Sequence, residues 1–266
     1  MAIDATAQVH PSAVIEEGAV IGAGASVGPF CIVGAEVELG PRVALRSHVV
    51  VTGRTQIGEE TVIFPFSVIG EIPQDLKYAG ENTSLIIGKR NRIRESVTMN
   101  CGTEGGGGVT RVGDDGLFMA GCHIAHDAQV GDRVIVVNSA AIAGHCVLED
   151  DVIIGGLSGV HQWVRIGKGA IIGAVCMVTK DVMPYGLVQG PRGVLDGLNL
   201  VGLKRKGVAR TDITALRAAF QQLAQGEGAF LDRAQRLSDD NPDSDYVREM
   251  VAFILGASER SFLTPG

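Results

Sequence analysis

The sequence predicts a mainly β protein: a parallel β-helix of hexapeptide repeats over residues 1–190, followed by a small α-helical domain over residues 191–266. Three observations carry that expectation. An aliphatic residue recurs every six positions, glycine is abundant while aromatics are scarce, and the six-residue period stops near residue 190.

Stepping by six from Ile3 gives Val9, Ile15, Ile21, Val27, Val33, Leu39, Leu45, Val51, Ile57, Ile63 and Ile69, twelve aliphatic residues in succession. Chance would produce such a run less than about once in ten thousand trials at ordinary aliphatic usage. The period resumes at Ile87, Ile93 and Met99, then runs one residue out of register from Val112 through Phe118, Ile124 and Val130 to Val178. A second inward position, four residues after the aliphatic one, holds small residues such as Ala19, Ala25, Thr61 and Ser67. One aliphatic and one small inward side chain per six residues describe a short strand and a tight corner, and three such units close a triangular coil of 18 residues. Glycine often follows the aliphatic residue, as at Gly22, Gly28 and Gly155, and is expected to serve the corners.

The composition fits a narrow prism. Of 266 residues, 37 are glycine and 45% are hydrophobic, yet only 5% are aromatic, so small and branched side chains must fill the core. Phe64, Phe66, Tyr78 and Trp163 stand out as large rings. Four of the five cysteines, Cys31, Cys122, Cys146 and Cys176, fall on the small inward position, and packing accounts for them. Cys101 does not fit that position. An odd number of cysteines without a CxxC pair fits neither a disulfide framework nor a zinc site.

Two segments interrupt the period. Residues 72–86 carry Pro73, Asn82 and charged groups, and residues 100–111 carry four consecutive glycines; both read as loops leaving the prism. Insertions in a solenoid tend to lie on a binding face. Beyond residue 190, Thr211 is placed to cap a helix bearing Ile213, Leu216, Phe220 and Leu223 on one face. Ala229–Leu237 and Tyr246–Leu255 are helical in pattern, with breaks at Gly226, Gly228 and Asn241-Pro242.

A net charge of −7 argues against sequence-independent nucleic-acid binding, which needs phosphate neutralisation by Lys and Arg. There is no apolar run of the roughly 18–20 residues that span a bilayer and no basic-then-apolar leader, so a cytoplasmic protein without a transmembrane segment is expected.

Chemistry concentrates on the histidines. Four of the six, His123, His126, His145 and His161, lie close together in the chain. The hexads that begin at Ile124, Ile142 and Val160 are one coil apart, so His126, His145 and the pair His161-Gln162 stack on one face. Metal ligation, unrelated surface histidines and general-base catalysis are the competing readings. The last is favoured because imidazole titrates near neutral pH and can accept a proton from a hydroxyl or amine. No metal is expected: two close histidines come first, and His126 is followed directly by Asp127.

The segments GPFCIVG, SHVVV, QDLKYAGE, NRIRESVT, HIAHD, AGH, IIGG, VHQW and GLKRKG, in this order and ahead of a helical tail, resemble the UDP-N-acetylglucosamine acyltransferases of the lipid A pathway over nearly the entire chain. The resemblance implies a left-handed β-helix and a cytoplasmic homotrimer with sites between subunits. The implied reaction, the first step of lipid A synthesis, moves a 3-hydroxyacyl group from acyl carrier protein to the 3-hydroxyl of UDP-N-acetylglucosamine. No cofactor is implied, since phosphopantetheine enters as part of the carrier substrate. His126 would be the general base, Asp127 its orienting partner and the Gly144 N–H an oxyanion donor. A contact between His126 and Asp127 requires a coil corner, because neighbouring strand residues point to opposite faces.

By the same resemblance Gln74, Asp75, Lys77, His123, His145, His161 and Gln162 hold the nucleotide sugar, and Asn199 and Arg205 reach the nucleotide from a neighbouring subunit. Val201 departs from the family pattern, which has a carboxylate there. Ala174 falls on the position that limits acyl length, so a medium-length chain is expected, shorter than that of relatives with glycine there. Lys89, Arg90, Arg92 and Arg94, and separately Lys204, Arg205, Lys206 and Arg210, form basic clusters suited to an acidic carrier protein. The sequence does not distinguish an oxygen from a nitrogen acceptor at the sugar 3-position. A non-catalytic hexapeptide scaffold, a zinc hydratase and the N-acyltransferase of the same pathway are the alternatives.

Overall fold

A computed structural model describes residues 2–240 and 242–265. The hexads form three parallel sheets, in each of which a strand pairs with its counterpart one coil later. Sheet A runs from Ala2–Ile3 to Arg165–Ile166, sheet B begins at Gln8–Val9, and sheet C runs from Val14–Ile15 to Met177–Val178. Register pairs such as Ile124↔Ile142 and Val136↔Ile154 keep the predicted 18-residue repeat. The result is the left-handed parallel β-helix expected, with helices at its C-terminal end.

The inward aliphatic residues are buried from Ile21 onward, and the small position four residues later packs between them, as at Ala25, Cys31, Cys122 and Cys146. Burial pushes the thiols of Cys122 and Cys146 up to about 12, so they stay protonated and behave as small apolar groups. Cys101 is also buried; its Sγ lies 3.3 Å from the Gly70 carbonyl oxygen, and burial pushes it up to about 11.

The corners differ from expectation. Among the described residues, seventeen non-glycine residues have φ in the left-handed region, and each stands three residues after an inward aliphatic one. The glycines that directly follow the aliphatic residue, such as Gly28 and Gly155, serve close approach instead. A Cβ on Gly28 would lie 2.5 Å from the Arg46 carbonyl oxygen, and one on Gly155 2.5 Å from the Gly173 carbonyl carbon. A left-handed backbone at a non-glycine residue costs on the order of 1 kcal/mol. The stacked coil offsets part of this, because the corner N–H donates to a carbonyl of the preceding coil, as in His145 N–H to His126 O at 3.0 Å.

Because the repeat is 18 residues, corner residues stack into three edges of different chemistry. The edge after sheet A is charged, with ion pairs Arg42–Glu60, Arg90–Asp115 and Arg133–Asp151 at 2.7–2.8 Å between coils. The edge after sheet B carries the exposed apolar residues Phe30, Phe66, Leu157 and Val175, each at least 60% exposed, among His48, Ser96 and Ser139. The edge after sheet C carries Asp127, His145 and Trp163 on consecutive coils.

Both predicted loops leave from that third edge and are shorter than expected. Ser84–Ile87 and Val109–Val112 are strands of sheet A, and Thr98–Asn100 belongs to sheet C. The chain must regain register before Ile87 and Val112, and Leu85 and Thr110 are buried opposite each other where it does so. The excursions are therefore residues 72–83 and 101–108, the second containing a short 3-10 turn at Glu104–Gly106.

At the C-terminal end an antiparallel hairpin, Gly186–Gln189 with Val194–Leu198, extends sheet B across the expected junction at residue 190. Helices follow: α1 Leu200–Arg205, α2 Arg210–Gln225, α3 Phe230–Asp239 and α4 Asp245–Leu255. The hairpin and α1 were not predicted. Thr211 is not a cap. It is the second residue of α2, whose N-cap is Ala209, because Gly207 in the left-handed region ends α1 and the next helix restarts only three residues on. Leu216 and Leu223 are buried as the periodicity predicted. Asn241 of the expected break lies outside the described residues. No helix of the described residues is long and apolar enough to cross a membrane.

Candidate active site

Asp127 is a corner residue with φ 60°, which removes the geometric obstacle to its pairing with His126. At a left-handed corner successive side chains no longer diverge, and His126 Nδ1 lies 2.8 Å from Asp127 Oδ2. Both side chains are almost fully buried. The carboxylate also accepts from the Thr103 N–H at Oδ1, 2.8 Å, and from the Thr103 hydroxyl at Oδ2, 2.6 Å. The Asp127 N–H in turn donates to Thr110 Oγ1 at 2.7 Å. A carboxylate accepting from Nδ1–H fixes the imidazole tautomer that leaves Nε2 as the acceptor.

Gly144 explains where that ring lies. A Cβ there would sit 2.4 Å from His126 Cε1 and 2.6 Å from Nε2, so the imidazole occupies the space a side chain would fill. Among the described residues the Gly144 N–H donates to nothing, while its carbonyl accepts from Trp163 N–H at 3.2 Å. A free N–H beside a basic nitrogen is the arrangement an oxyanion site requires.

His145, one coil on, sits edge-on to His126 with ring centroids 4.9 Å apart, and its Nδ1 is 3.6 Å from Asp127 Oδ2. Burial pushes it below the ordinary imidazole value; the Asp127 and Asp75 carboxylates pull it upward, while His126 and Lys77 add to the depression. Asp75 and Lys77 of the 72–83 excursion thus act on the histidine edge, and Gln74 is exposed on the same loop. His123 is also pushed down by burial, and its Nδ1 is 2.8 Å from Thr98 Oγ1. His161 and Gln162 are exposed on the next coil. Arg260, from the C-terminal tail, reaches both, with Nη2 2.9 Å from His161 Nδ1 and Nε donating to the Gln162 carbonyl at 3.0 Å.

His126, Asp127 and His145 place ligand-type atoms within 4.8 Å of one another. The donor set is arranged as a hydrogen-bonded relay: both Asp127 oxygens already accept protons, and one of them serves His126.

Asn199 and Arg205 are not brought to this cluster within the chain. Asn199 caps α1, accepting from Gly202 N–H at 2.9 Å and donating to Gly169 O at 2.9 Å, against the charged edge. Arg205 is exposed on the same helix, and Val201 is 61% exposed beside it. That helix borders a cavity of about 680 Å³ lined by Arg133, Lys168, Tyr185 and Glu249, away from the histidines. Ala174 is exposed next to Val175 at the edge after sheet B, near the exposed Leu157 and Met177.

The first basic cluster is largely neutralised. Lys89 pairs with Glu59 and Arg90 with Asp115 on neighbouring coils, and Arg94 pairs with Glu95 next to it in the chain. Of the second cluster, Lys206 pairs with Asp151, whereas Lys204, Arg205 and Arg210 form no ion pair among the described residues. Thr103, Thr110 and Arg260 escaped residue-by-residue reading; for Thr103 the adjacent glycine run was the available signal.

Residues 181–263 match a family model described as UDP N-acetylglucosamine O-acyltransferase, domain 2. An acyl-[acyl-carrier-protein]–UDP-N-acetylglucosamine O-acyltransferase from Paracoccus denitrificans is 68% identical over 77% of this chain and 77% of its own length. One of the same name from Agrobacterium fabrum is 43% identical over 99% of this chain and 97% of its own. The chain belongs to this acyltransferase family. Among solved structures, the UDP-N-acetylglucosamine acyltransferase from Campylobacter jejuni superposes with a TM-score of 0.92 at 36% identity, covering 97% of this chain and all of that one. An Acinetobacter baumannii relative gives 0.86 at 36% identity, covering 98% of this chain and 99% of that one.

Proposed function

We propose that this enzyme transfers a 3-hydroxyacyl group from acyl carrier protein to the 3-hydroxyl of UDP-N-acetylglucosamine, the first step of lipid A synthesis, in the cytoplasm. The observation that carries this reading is the buried His126–Asp127 pair, with Nδ1 committed to the carboxylate at 2.8 Å and the free Gly144 N–H alongside. His126 Nε2 takes the proton of the sugar hydroxyl as its oxygen attacks the thioester carbonyl carbon. The Gly144 N–H stabilises the oxyanion, the carbon–sulfur bond breaks, and the departing thiolate takes the proton back from the imidazolium. Asp127 holds the ring and stabilises its charged form. No covalent enzyme intermediate and no cofactor are needed, since phosphopantetheine arrives with the carrier.

Gln74, Asp75, Lys77, His123, His145, His161 and Gln162 would hold the nucleotide sugar around this pair, with Lys77 supplying a flexible charge for the diphosphate. Asn199 and Arg205 stand on a helix against a different edge, so they reach the same nucleotide only from a second copy, in keeping with a homotrimer. The exposed apolar residues Leu157, Val175 and Met177 are suited to the acyl chain, with Ala174 limiting its length. Lys204, Arg205 and Arg210, unneutralised, suit the acidic carrier.

Purified protein with UDP-N-acetylglucosamine and a panel of 3-hydroxyacyl carriers tests the reading. A single preferred length and a drop of about 10²–10⁴ in rate for His126→Ala with the oligomer intact are expected. Ala174→Gly should lengthen the preferred chain. An active His126→Ala enzyme would remove the base assignment.

A further inference from the structure

The 101–108 excursion is built around the Asp127 carboxylate. Thr103 is 8% exposed, and its N–H and hydroxyl meet the two oxygens of Asp127 at 2.8 and 2.6 Å. The Thr103 carbonyl accepts from the N–H of Gly106 and Gly108 at 3.1 and 2.8 Å, closing the loop on itself. A Cβ on Gly106 would lie 2.0 Å from Asp127 Cγ, and one on Gly102 2.8 Å from Oδ1, so the loop backbone lies directly on the carboxylate. Gly106 is thereby explained, since only bare backbone fits over Asp127 there, while Gly107 and Gly108 take left-handed φ values of 92° and 80°.

We propose that Thr103 is a positioning residue for the acyl transfer, holding Asp127 in the one rotamer that binds His126 Nδ1 and sharing Oδ2 with it. The carboxylate has a rotatable bond on each side of its Cβ, and His126 engages only one of its oxygens. Without the Thr103 fork, Asp127 can rotate toward His145, whose Nδ1 is already 3.6 Å from Oδ2. The His126 ring then loses its fixed tautomer. Two donors from one residue fix both oxygens at once, which a single donor cannot do. The proposal rests on His126 being the general base.

Thr103→Val keeps the shape of the side chain and the N–H bond but removes the hydroxyl; Thr103→Ser restores it. Thr103→Val should lower kcat about 10- to 100-fold with both KM values within about threefold, as expected for a misplaced catalytic group. Thr103→Ser should return to within about threefold of the unmodified enzyme. In protein carrying ¹⁵N-histidine, the hydrogen-bonded Nδ1–H resonance of His126 should shift or broaden in Thr103→Val and not in Thr103→Ser. Gly106→Ala, which drives a methyl group into the carboxylate while leaving the hydroxyl in place, should also lose kcat, and it decides the matter if Thr103→Val does not fold. The proposal is overturned if Thr103→Val keeps kcat within about twofold, if Thr103→Ser is as poor as Thr103→Val, or if the resonance does not move. His126→Ala measured in parallel separates the two levels: an inactive His126→Ala beside a fully active Thr103→Val sinks only the role of Thr103, whereas an active His126→Ala sinks the base assignment itself.

Discussion

The imidazole of His145 lies parallel to the indole of Trp163, with ring centroids 3.8 Å apart and planes 5° apart. Both are left-handed corner residues one coil apart, so the stack follows directly from the 18-residue repeat. An aromatic pair of this kind is worth about 0.5–1.5 kcal/mol beyond its buried area. Trp163→Ala should therefore raise the KM for the nucleotide sugar about 2- to 10-fold by freeing the His145 ring. Trp163→Phe should recover most of it. Steady-state kinetics with the carrier held saturating makes the comparison, and equal KM values for Ala and Phe would count against the stack.

Gly144→Ala should cost about 10² in kcat. The added methyl would overlap the His126 ring, and a displacement of about 1 Å at a reacting group has that effect. The variant retains its backbone N–H, so the loss reports the displaced ring and not a missing oxyanion donor. Single-turnover rates together with an unchanged circular dichroism spectrum test this.

Stability should fall as the solution is acidified from neutrality. Burial pushes His123 and His145 below the ordinary value of 6.5. As pH drops through 6.5 the unfolded chain takes up protons at these positions that the folded chain refuses, so the folded state loses ground until the buried rings are protonated too. Glu149, pushed up by burial, works in the opposite direction only near the carboxylate range. Thermal midpoints between pH 7.5 and 5.5 should decline less steeply for His123→Gln and His145→Gln than for the native chain.

Asp181→Ala should detach the C-terminal tail. Asp181 is fully buried, accepts from Arg165 N–H and Nε at 2.8 Å each, and accepts from Ser258 Oγ at 2.6 Å. Arg165 also lies over the Phe253 and Phe262 rings. Removing one partner of a buried pair costs about 3–5 kcal/mol, because the other charge is left uncompensated. A lowered melting temperature and faster amide exchange over residues 258–263 are expected. The bond from Arg260 to His161 should go with them, visible as a weaker affinity for the nucleotide sugar.

The prism was legible because its signal is repetitive: each inward aliphatic residue is one vote for the same period, and Ile21 through Val178 voted consistently. The corner geometry was not. Gly28 reads as a turn residue on composition alone, yet its small size is required by the Arg46 carbonyl above it, a contact 18 residues away that no local propensity records. His126 and Asp127 were visible as neighbours, while their direct bond depended on a left-handed φ at an aspartate, which residue type does not foretell. Thr103 and Arg260 reach the site from 24 and 99 residues away through pairs of hydrogen bonds that leave no periodic trace.

The three edges give the chain something like a reading frame. Each hexad advances the polypeptide by one edge, so a deletion of six residues between the 101–108 excursion and Asp127 would turn the dyad, with His145 and Trp163, one edge away from Thr103 while the remaining strands still formed. A deletion of 18 would leave it on its own edge. The excursions at 72–83 and 101–108 respect this rule: both depart from and return around the same corner, adding sequence without turning the prism. Length variation in such a chain should be confined to corner loops or to whole coils, and an intermediate change between the second excursion and the dyad would leave folded coils whose catalytic pair no longer meets Thr103.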